Sequence, residues 1–468
     1  MGTTFSAGYS SALGDILSQV NDAFSGKSTG IDVSSVVDEL MQVEDAPETQ
    51  MQQEQSSISS QITALTSLSS DLTSLANSIS SLQDFDGALS QLTTGSSDSN
   101  IVSAAADNTA SAGTHTVVVS HLASTSSSYS NYIPSGSSLA GAEIDVAFGP
   151  ANDPTGQATI DIPSTATTLQ EAADSINQGS YGVTASVVTD SVGSRLVLTS
   201  NTSGAAGNLT VSSSATNFTT AAGVDAQLTV DGVPVDSGSN TVTGAIPGVT
   251  LSLGAADPNT SVLISVEPDA TQAATAVQDF VSAYNTVVGD INSQYTLNSS
   301  GNEGVLAGDG MLQTLQSSLL NMISTAASGA GQFTSLQSLG IEMQDDGTLQ
   351  VDTSTLSNAL SNDYSDVQNF FQSTSGWGQI ANTEMNQLTD PVNGPIAADI
   401  SGLNQTSDDL TSQIQDFQAN MTQVQQQLTN EYDNLNTLLI EYPMQMQEAA
   451  SQLASLPDAP TTSSSTQG

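Results

Sequence analysis

The chain of 468 residues carries 48 Asp and Glu against 2 Lys and Arg, which gives a formal net charge of −46. This charge excludes nucleic acids and anionic membrane surfaces as partners, because both repel it. The absence of cysteine excludes disulfides, thiol nucleophiles and cysteine-based metal sites, and no stretch approaches the roughly 20 apolar residues of a membrane-inserted helix.

The first residues of the chain do not have the pattern of a secretory signal peptide. Residues 1–24 contain neither a basic segment nor a continuous apolar core. Ile16, Val20 and Phe24 fall on one face of a helix and are flanked by Ser and Gly, which predicts a polar, weakly amphipathic tail.

An apolar heptad pattern follows and predicts a long helix. Its apolar positions recur at intervals of three and four and are Ile58, Ile62, Leu65, Leu68, Leu72, Leu75, Ile79 and Leu82. Such a stripe is the seam of a coiled coil, and one helix cannot bury it alone. We therefore expect a second long helix elsewhere in the chain to cover it.

The middle of the chain, residues 101–270, alternates apolar and polar residues with a period of two, which predicts β-strands. Strands are predicted at 183–187, 249–253 and 262–266. The first of these leads through residues 190–194 into another strand, as in a hairpin.

Shorter signals complete this part of the chain. Thr168 and Glu171 form a capping box at the start of a short helix. Asp231 and Gly232 stand between two apolar runs and indicate a tight hairpin turn. Over residues 272–291 the apolar period becomes helical.

A second heptad pattern lies near the end of the chain. Its apolar positions are Leu403, Leu410, Ile414, Phe417, Met421, Val424, Leu428, Tyr432, Leu435 and Leu439. The positions beside this seam are Gln, Asn, Thr and Ser, where Glu and Lys commonly pair across a coiled coil. Pro443 interrupts the pattern, so residues 444–456 are expected to form a separate helix or a kinked continuation. The polar tail after Pro457 is expected to be disordered.

These patterns together predict an α+β, multidomain fold, with a long-helix coiled-coil leg formed by both chain ends and inserted antiparallel β-rich domains. That organisation favours structural assembly over catalysis. The expected coiled-coil and oligomer seam comprises Ile58, Ile62, Leu65, Leu72, Leu75, Ile79, Leu82, Leu410, Ile414, Phe417, Met421, Val424, Leu428 and Leu435.

Candidates for chemistry are few. His115 and His121 share one face of a predicted strand but lie about 20 Å apart, which is too far to share a metal ion. Residues 345–347 (DDG) resemble the start of a calcium loop without its further ligands, and predict a turn. Trp377 could be an exposed contact, although we favour an anchor in the core. We predict no catalytic site, no cofactor and no metal.

The net negative charge comes from a shortage of basic residues and not from an excess of acidic ones. Charged residues make up 11% of the chain, where about 25% is usual. At pH ~3, about a tenth of carboxylates with pKa values near 4 remain ionised, so the net charge approaches zero. An acidic exterior, a saline exterior and a biased genome composition all remain open as explanations. Both exteriors imply a protein that works outside the cell.

A series of segments then forms a recognisable set. They are residues 30–41 (GIDVSSVVDELM) with Glu44 and Pro47, 112–123, 166–211, 230–235 (VDGVPV), 240–242, 246–251 (IPGVTL), 280–285 (FVSAYN) and 339–341. In order and number they resemble the flagellar hook-associated protein 2 family, the flagellar filament caps. Residues 166–211 resemble the IN repeat that flagellins and caps share. The resemblance extends over about nine-tenths of the chain.

The resemblance implies a secreted, extracellular protein at the tip of the bacterial flagellum. Such a protein is exported unfolded through the flagellar channel by its uncleaved N-terminus, using the flagellar export apparatus and an export chaperone. It forms a small homo-oligomeric ring whose helical legs stand on the filament, while its β-domains form a plate under which flagellin folds and is inserted. This chain departs from the family in its near-absence of Lys and Arg, so we expect shape and hydrogen bonding to replace charge pairs with flagellin.

The expected organisation follows from the patterns and the resemblance. It comprises a flexible N-terminal export segment (1–46), the N-terminal part of the helical leg (47–100), the first part of a β-domain (101–149), an inserted distal β-domain with the IN-type repeat (150–225), the second part of the β-domain (226–270), the C-terminal part of the leg (271–442, with the coiled coil at 403–442) and a C-terminal helix with a flexible tail (443–468).

Two other functions remain open from the sequence. A tip adhesin would bind host or mineral surfaces through the 101–270 region. Another axial protein, a flagellin or a hook–filament junction protein, would share the helical ends but lack the signatures at 30–41 and 230–251 together.

Overall fold

The computed structural model describes residues 32–134, 136–149, 156–297, 301–327 and 331–455, together with the single positions 14, 17, 18, 21 and 22. The amphipathic positions Ile16, Val20 and Phe24 and the tail after Pro457 lie outside the described residues, so their predicted features stay predictions.

The protein is an α+β chain, and of the residues that the structure describes 50% are helical and 25% lie in strands. It divides into two compact units. The helical unit lies within residues 1–76, 284–321 and 384–468, and the mixed unit lies within residues 77–283 and 322–383.

Two helices begin the described chain. Helix α1 spans Val33–Glu44 and helix α2 spans Ala46–Gln83. The Asp32 carboxylate accepts a hydrogen bond from the Ser35 N–H at 3.3 Å, which satisfies one free donor of the first turn of α1. The structure thus forms a helix inside the segment expected to be flexible, because a cap and a buried valine face act together.

Antiparallel strands and one short helix make up most of the mixed unit. Their bounds are β1 Leu92–Ser96, β2 Val102–Ala106, β3 Gly113–His121, β4 Thr125–Ser130, β5 Glu143–Phe148, β6 Gly156–Asp161, α3 Leu169–Gln178, β7 Val183–Thr189, β8 Ser194–Ser203, β9 Leu209–Ser213, β10 Phe218–Ala221, β11 Ala226–Val230, β12 Val233–Ser237, β13 Thr241–Ile246, β14 Val249–Leu253 and β15 Asp257–Pro268.

The first β core lies between a five-stranded sheet, in the order β1-β15-β3-β11-β12, and a three-stranded sheet, β13-β14-β2. Val117 and Val119 of β3 and Ile264 of β15 are fully buried in it. The predicted turn between β11 and β12 is confirmed. Asp231 and Gly232 adopt φ values of 51° and 81°, as a tight hairpin turn of this kind requires.

The second β core lies among a four-stranded sheet, β10-β4-β8-β7, a three-stranded sheet, β6-β5-β9, and helix α3. The predicted β7–β8 hairpin and the Thr168–Glu171 capping box are both present. This core takes residues from Ile133 onward, earlier than the boundary expected at residue 150, because β5 belongs to it.

Helices return after β15. Their bounds are α4 Ala270–Tyr295, α5 Gly310–Ser324, α6 Thr353–Asn362, α7 Tyr364–Gln372, α8 Trp377–Leu388 and α9 Pro395–Ala454. Strands β16 (Ile341–Met343) and β17 (Leu349–Val351) pair antiparallel around the predicted turn, where Gly347 has a φ of 84°.

Trp377 anchors an aromatic cluster in the mixed unit. It is fully buried, and its ring lies parallel to that of Phe370 at 6.0 Å between centroids. Phe280 and Phe371 meet it edge-on. Trp377 Nε1 donates a hydrogen bond to the Met322 carbonyl at 2.9 Å, so the prediction of a core anchor is confirmed.

The prediction of a separate helix after Pro443 is wrong. Helix α9 runs for 60 residues and passes through this position. A proline removes a single N–H donor, and the turns on either side keep their own hydrogen bonds, so one proline does not end so long a helix.

Candidate functional site

The predicted N-terminal seam lies along one buried face of α2. Leu65, Leu72, Leu75, Ile79 and Leu82 are fully buried. Ile58 and Leu68 are nearly so, and Ile62 is half-buried. The heptad pattern therefore identified the buried face of this helix correctly.

The predicted C-terminal seam is buried less evenly along α9. Leu410 and Met421 are buried, and the seam positions Ile414, Phe417, Val424 and Leu428 are half-buried. Leu435 is 39% exposed. Within a single chain, this seam is therefore covered better near Leu410 than near Leu435.

The two chain ends meet in the helical unit through side-chain hydrogen bonds that involve no basic residue. Gln55 Nε2 of α2 donates a hydrogen bond to Thr411 Oγ1 of α9 at 2.7 Å. Closer to the start of α2, Gln418 Nε2 donates to Glu48 Oε1 at 2.6 Å. From the first contact to the second, the residue number falls by seven in α2 and rises by seven in α9. The two helices therefore run antiparallel. An amide–hydroxyl pair and an amide–carboxylate pair thus occupy the rim, where pairs of opposite charge are common.

Helix α1 also packs on α9. Val36 and Leu439 are buried together, with Leu40 and Tyr432 beside them. The sequence analysis did not identify this contact, although the apolar spacing 33, 36, 37 and 40 is that of a helix face. Helix α1 therefore extends the paired ends of the chain beyond α2.

An open groove runs between α1, the start of α2 and α9. Asp38, Glu39, Asp45 and Glu48 line it together with Met421 and neighbouring polar side chains. Among the described residues of the helical unit there is no Lys, Arg or His to neutralise these carboxylates.

The last third of α9 presents apolar side chains to solvent. Leu438, Tyr442 and Leu453 are 58%, 63% and 74% exposed. Ile440, Met444 and Met446 are exposed as well. Within the part of the chain that the structure describes, nothing covers this face, which makes it the strongest candidate for assembly contacts.

The one arginine of the chain lies in the second β core region. Its guanidinium carbon lies 3.6 Å from the centroid of the Tyr132 ring and 5.2 Å from that of Tyr129, both within the range of cation–π attraction. The Tyr132 hydroxyl donates to the Asp190 carboxylate at 2.5 Å. This bond, together with backbone donors and Arg195, lowers the pKa of Asp190. These contacts hold the β7–β8 turn in place, so the role of Arg195 is structural.

The two histidines do not form a common site. His115 Nδ1 lies 2.8 Å from Asp231 Oδ2, and Asp231 also accepts the Thr116 N–H at 2.8 Å. These bonds lower the pKa of Asp231, the Thr116 bond most strongly. His121 lies at the other end of β3 and is exposed. The sequence identified Asp231 as a turn residue but not its contact with His115.

Within the described residues, no three metal-ligating side chains come together. None of the helices there combines the length and the apolar content that crossing a bilayer demands.

Comparison with known protein families gives three matches. The model for the flagellar hook-associated protein 2 N-terminus matches residues 29–126, and that for its C-terminus matches residues 223–443. The flagellin hook IN motif matches residues 152–202. The two hook-associated protein 2 models together span more than half of the chain.

Known relatives and structures agree with these matches. The chain is 28% identical over 401 residues to the B-type flagellar hook-associated protein 2 of Pseudomonas aeruginosa, covering 78% of this chain and 83% of that protein. It is 28% identical over 419 residues to the flagellar hook-associated protein 2 of Escherichia coli, covering 82% and 88%. A crystal structure of the flagellar cap protein FliD from Escherichia coli matches with a TM-score of 0.58 and 27% identity, covering 73% of this chain and 99% of that one.

Proposed function

Because the chain belongs to the flagellar hook-associated protein 2 family, we propose that it caps the distal tip of the bacterial flagellar filament. There it promotes the folding and insertion of exported flagellin subunits and prevents their loss. The observation that carries this proposal is the pairing of both chain ends, α1 and α2 with α9, around inserted β-domains. Helical chain ends that pair around inserted β-domains are the organisation we expect of a structural assembly protein.

The proposed cap is a homo-oligomer that contacts flagellin. The exposed apolar face of α9, from Leu435 to Leu453, supports this because a stable soluble chain rarely leaves so much apolar surface uncovered. We propose that the predicted seam positions that one chain leaves partly open, such as Phe417, Val424 and Leu435, take part in these contacts.

We infer that the protein is structural and has no catalytic activity of its own. The support for this is the family to which the chain belongs, whose named relatives are structural proteins of the flagellum. His115 is engaged by Asp231, and Trp377 is fully buried.

We further propose export through the flagellar channel, guided by the N-terminal segment and an export chaperone, to an extracellular position at the filament tip. The family to which the chain belongs supports this route. Deletion of residues 2–24 should leave the protein inside the cell, as measured by immunoblotting of cell and medium fractions.

A knock-out strain tests the capping function directly. Without the cap, flagellin subunits should escape into the medium, and filaments should be short or absent under the electron microscope. The gene supplied on a plasmid should restore both. Filaments of normal length with normal motility in the knock-out would refute the proposal.

A further inference from the structure

Two short segments of the mixed unit, residues 122–124 and 222–225, connect the two β cores. The first runs from β3, in the five-stranded sheet, into β4, in the four-stranded sheet. The second returns from β10 into β11. Together they are the junction segments. Whether such connections bend or hold depends on the contacts that their backbone makes.

The junction segments pair with each other as part of one antiparallel ribbon. The Ser124 N–H donates to the Val224 carbonyl at 2.9 Å, and the Val224 N–H donates to Ser124 Oγ at 3.2 Å. The paired positions along the ribbon are His121 with Gln227, Ser124 with Val224, and Ser127 with Ala221. From each pair to the next, the residue number rises by three on one segment and falls by three on the other. The ladder therefore passes from one sheet to the other without a change of register.

Asn240 clamps the first junction segment to the first β core. Its Oδ1 accepts the Ala123 N–H at 2.7 Å, and its Nδ2 donates to the Ala123 carbonyl at 3.0 Å. Ala123 itself is buried in the first β core. One side chain thus satisfies both backbone groups of Ala123 and fixes a residue that would have to change its dihedral angles if the junction were a hinge.

The end of β8 braces the second β core against the same junction. The Ala205 N–H donates to Asp225 Oδ1 at 2.6 Å, and Ser203 Oγ donates to the Gly238 carbonyl at 2.6 Å. Gly204 lies between these two contacts with a φ of 78°, and a Cβ on it would lie 2.6 Å from Gly238 Cα. The two backbones therefore touch, and a contact this close requires that residue 204 has no side chain.

We propose that the ribbon, the Asn240 clamp and the β8 brace lock the two β cores into one rigid body, so that the second β core does not rotate on its two connections. Rotation at the junction would break several of these hydrogen bonds together and leave their backbone groups without partners. The two cores then present one preorganised surface to a partner, and binding carries no cost for ordering them.

Spin-label distances in the full-length protein test the proposal. The chain contains no cysteine, so Ser186→Cys in β7 with Thr243→Cys in β13 places one label on each core, at exposed positions. A second pair, Ser186→Cys with Gln157→Cys in β6, lies within the second β core and measures the spread that the labels alone produce. Double electron–electron resonance should give distance distributions of equal width for the two pairs. A wider distribution between the cores than within one core would overturn the proposal.

Removal of two side chains should loosen the junction. Asn240→Ala with Asp225→Ala eliminates three of its hydrogen bonds. Amide protection of the junction segments should then fall about tenfold or more, and the distance distribution between the cores should broaden. Unchanged protection over residues 196–200 and 249–253 shows that both cores stay folded in this variant. A between-core distribution that kept its wild-type width would overturn the role assigned to the junction.

Asn177→Ala is the matched control. Asn177 makes the same two bonds to a single backbone, because its Oδ1 accepts the Ala185 N–H at 2.7 Å and its Nδ2 donates to the Ala185 carbonyl at 2.8 Å. Both residues belong to the second β core region, in α3 and β7. The control should lower amide protection of α3 and β7 and leave the between-core distribution at its wild-type width. Broadening as large as in the junction variant would show that any loss of stability separates the cores, which would overturn the proposal.

Discussion

Gln55 and Thr411 are hydrogen-bonded at 2.7 Å although 356 positions separate them in the chain. Their contact joins α2 to α9, two helices that the whole β-rich insertion separates in the sequence. Since neither helix carries a Lys or Arg, the apolar seam behind this polar contact must supply most of the pairing free energy.

The seam can be tested at a single buried position. Leu410→Ala should lower the free energy of unfolding of the helical unit by about 2–3 kcal/mol, because Leu410 is 6% exposed and its loss leaves a cavity. Urea unfolding followed by circular dichroism at 222 nm measures this. Gln413→Ala, at an exposed position of α9, is the control and should fall within about 0.5 kcal/mol of the wild-type protein.

The aromatic cluster of the mixed unit gives a second prediction. Trp377→Ala should destabilise this unit by about 3–5 kcal/mol, and Trp377→Phe by less, since it keeps a ring but leaves the Met322 carbonyl without its donor. Phe85, 72% exposed in the same unit, is the control. Should Phe85→Ala cost as much as Trp377→Ala in thermal unfolding, the cluster would not be the anchor described here.

Much of the fold could be predicted from periodicity. Heptad spacing located the buried face of α2, and period two located β7, β14 and β15. Paired signals were as reliable, since Thr168 with Glu171 and Asp231 with Gly232 each form the predicted local structure. In all these cases the chain's own neighbours determine the conformation.

The features that were missed depend on tertiary partners. Ser126, Ser128 and Ser130 of β4 are fully buried, because their hydroxyl groups are satisfied inside the second β core region. A serine-rich stretch has the composition of a linker, so the burial of these side chains could not be predicted from the sequence alone.

An aspartate cap in the mixed unit should lose its stabilising effect in acid. Hydrogen bonds from Ser354 and Thr355 lower the pKa of Asp352 from 3.8 to about 2. Its contribution to stability is therefore present above 3.8 and is lost as the pH falls through about 2. Asp352→Ala should lower the melting temperature at pH 5–7 and lose its effect near pH 2.

Asp363 provides the control for this cap. It precedes α7, the next helix, but makes no side-chain capping hydrogen bond. Asp363→Ala should therefore change the melting temperature less than Asp352→Ala at pH 6. A penalty for Asp352→Ala that persisted unchanged at pH 2 would contradict the role of its ionised carboxylate.

The charge of −46 leads to a prediction about the assembled cap. Subunits packed in a ring at pH 7 repel one another, and the repulsion weakens as exposed carboxylates protonate near pH 4. Rings should therefore be most stable at about pH 3–4 in low salt, and added salt should restore assembly at pH 7 by screening charges beyond ~10 Å. Sedimentation velocity between pH 2.5 and 8, at two salt concentrations, measures both effects.

The sedimentation result also distinguishes the three explanations for the shortage of Lys and Arg, which are an acidic exterior, a saline exterior and a biased genome composition. Rings that form at pH 3–4 in low salt, and not at pH 7, indicate adaptation to an acidic exterior. Rings that need high salt at every pH indicate a saline exterior, because screening alone then permits assembly. Rings equally stable at pH 7 in low salt would show that apolar contacts, such as those available at Leu435 to Leu453, outweigh the repulsion. Biased genome composition would then be the better account of the charge.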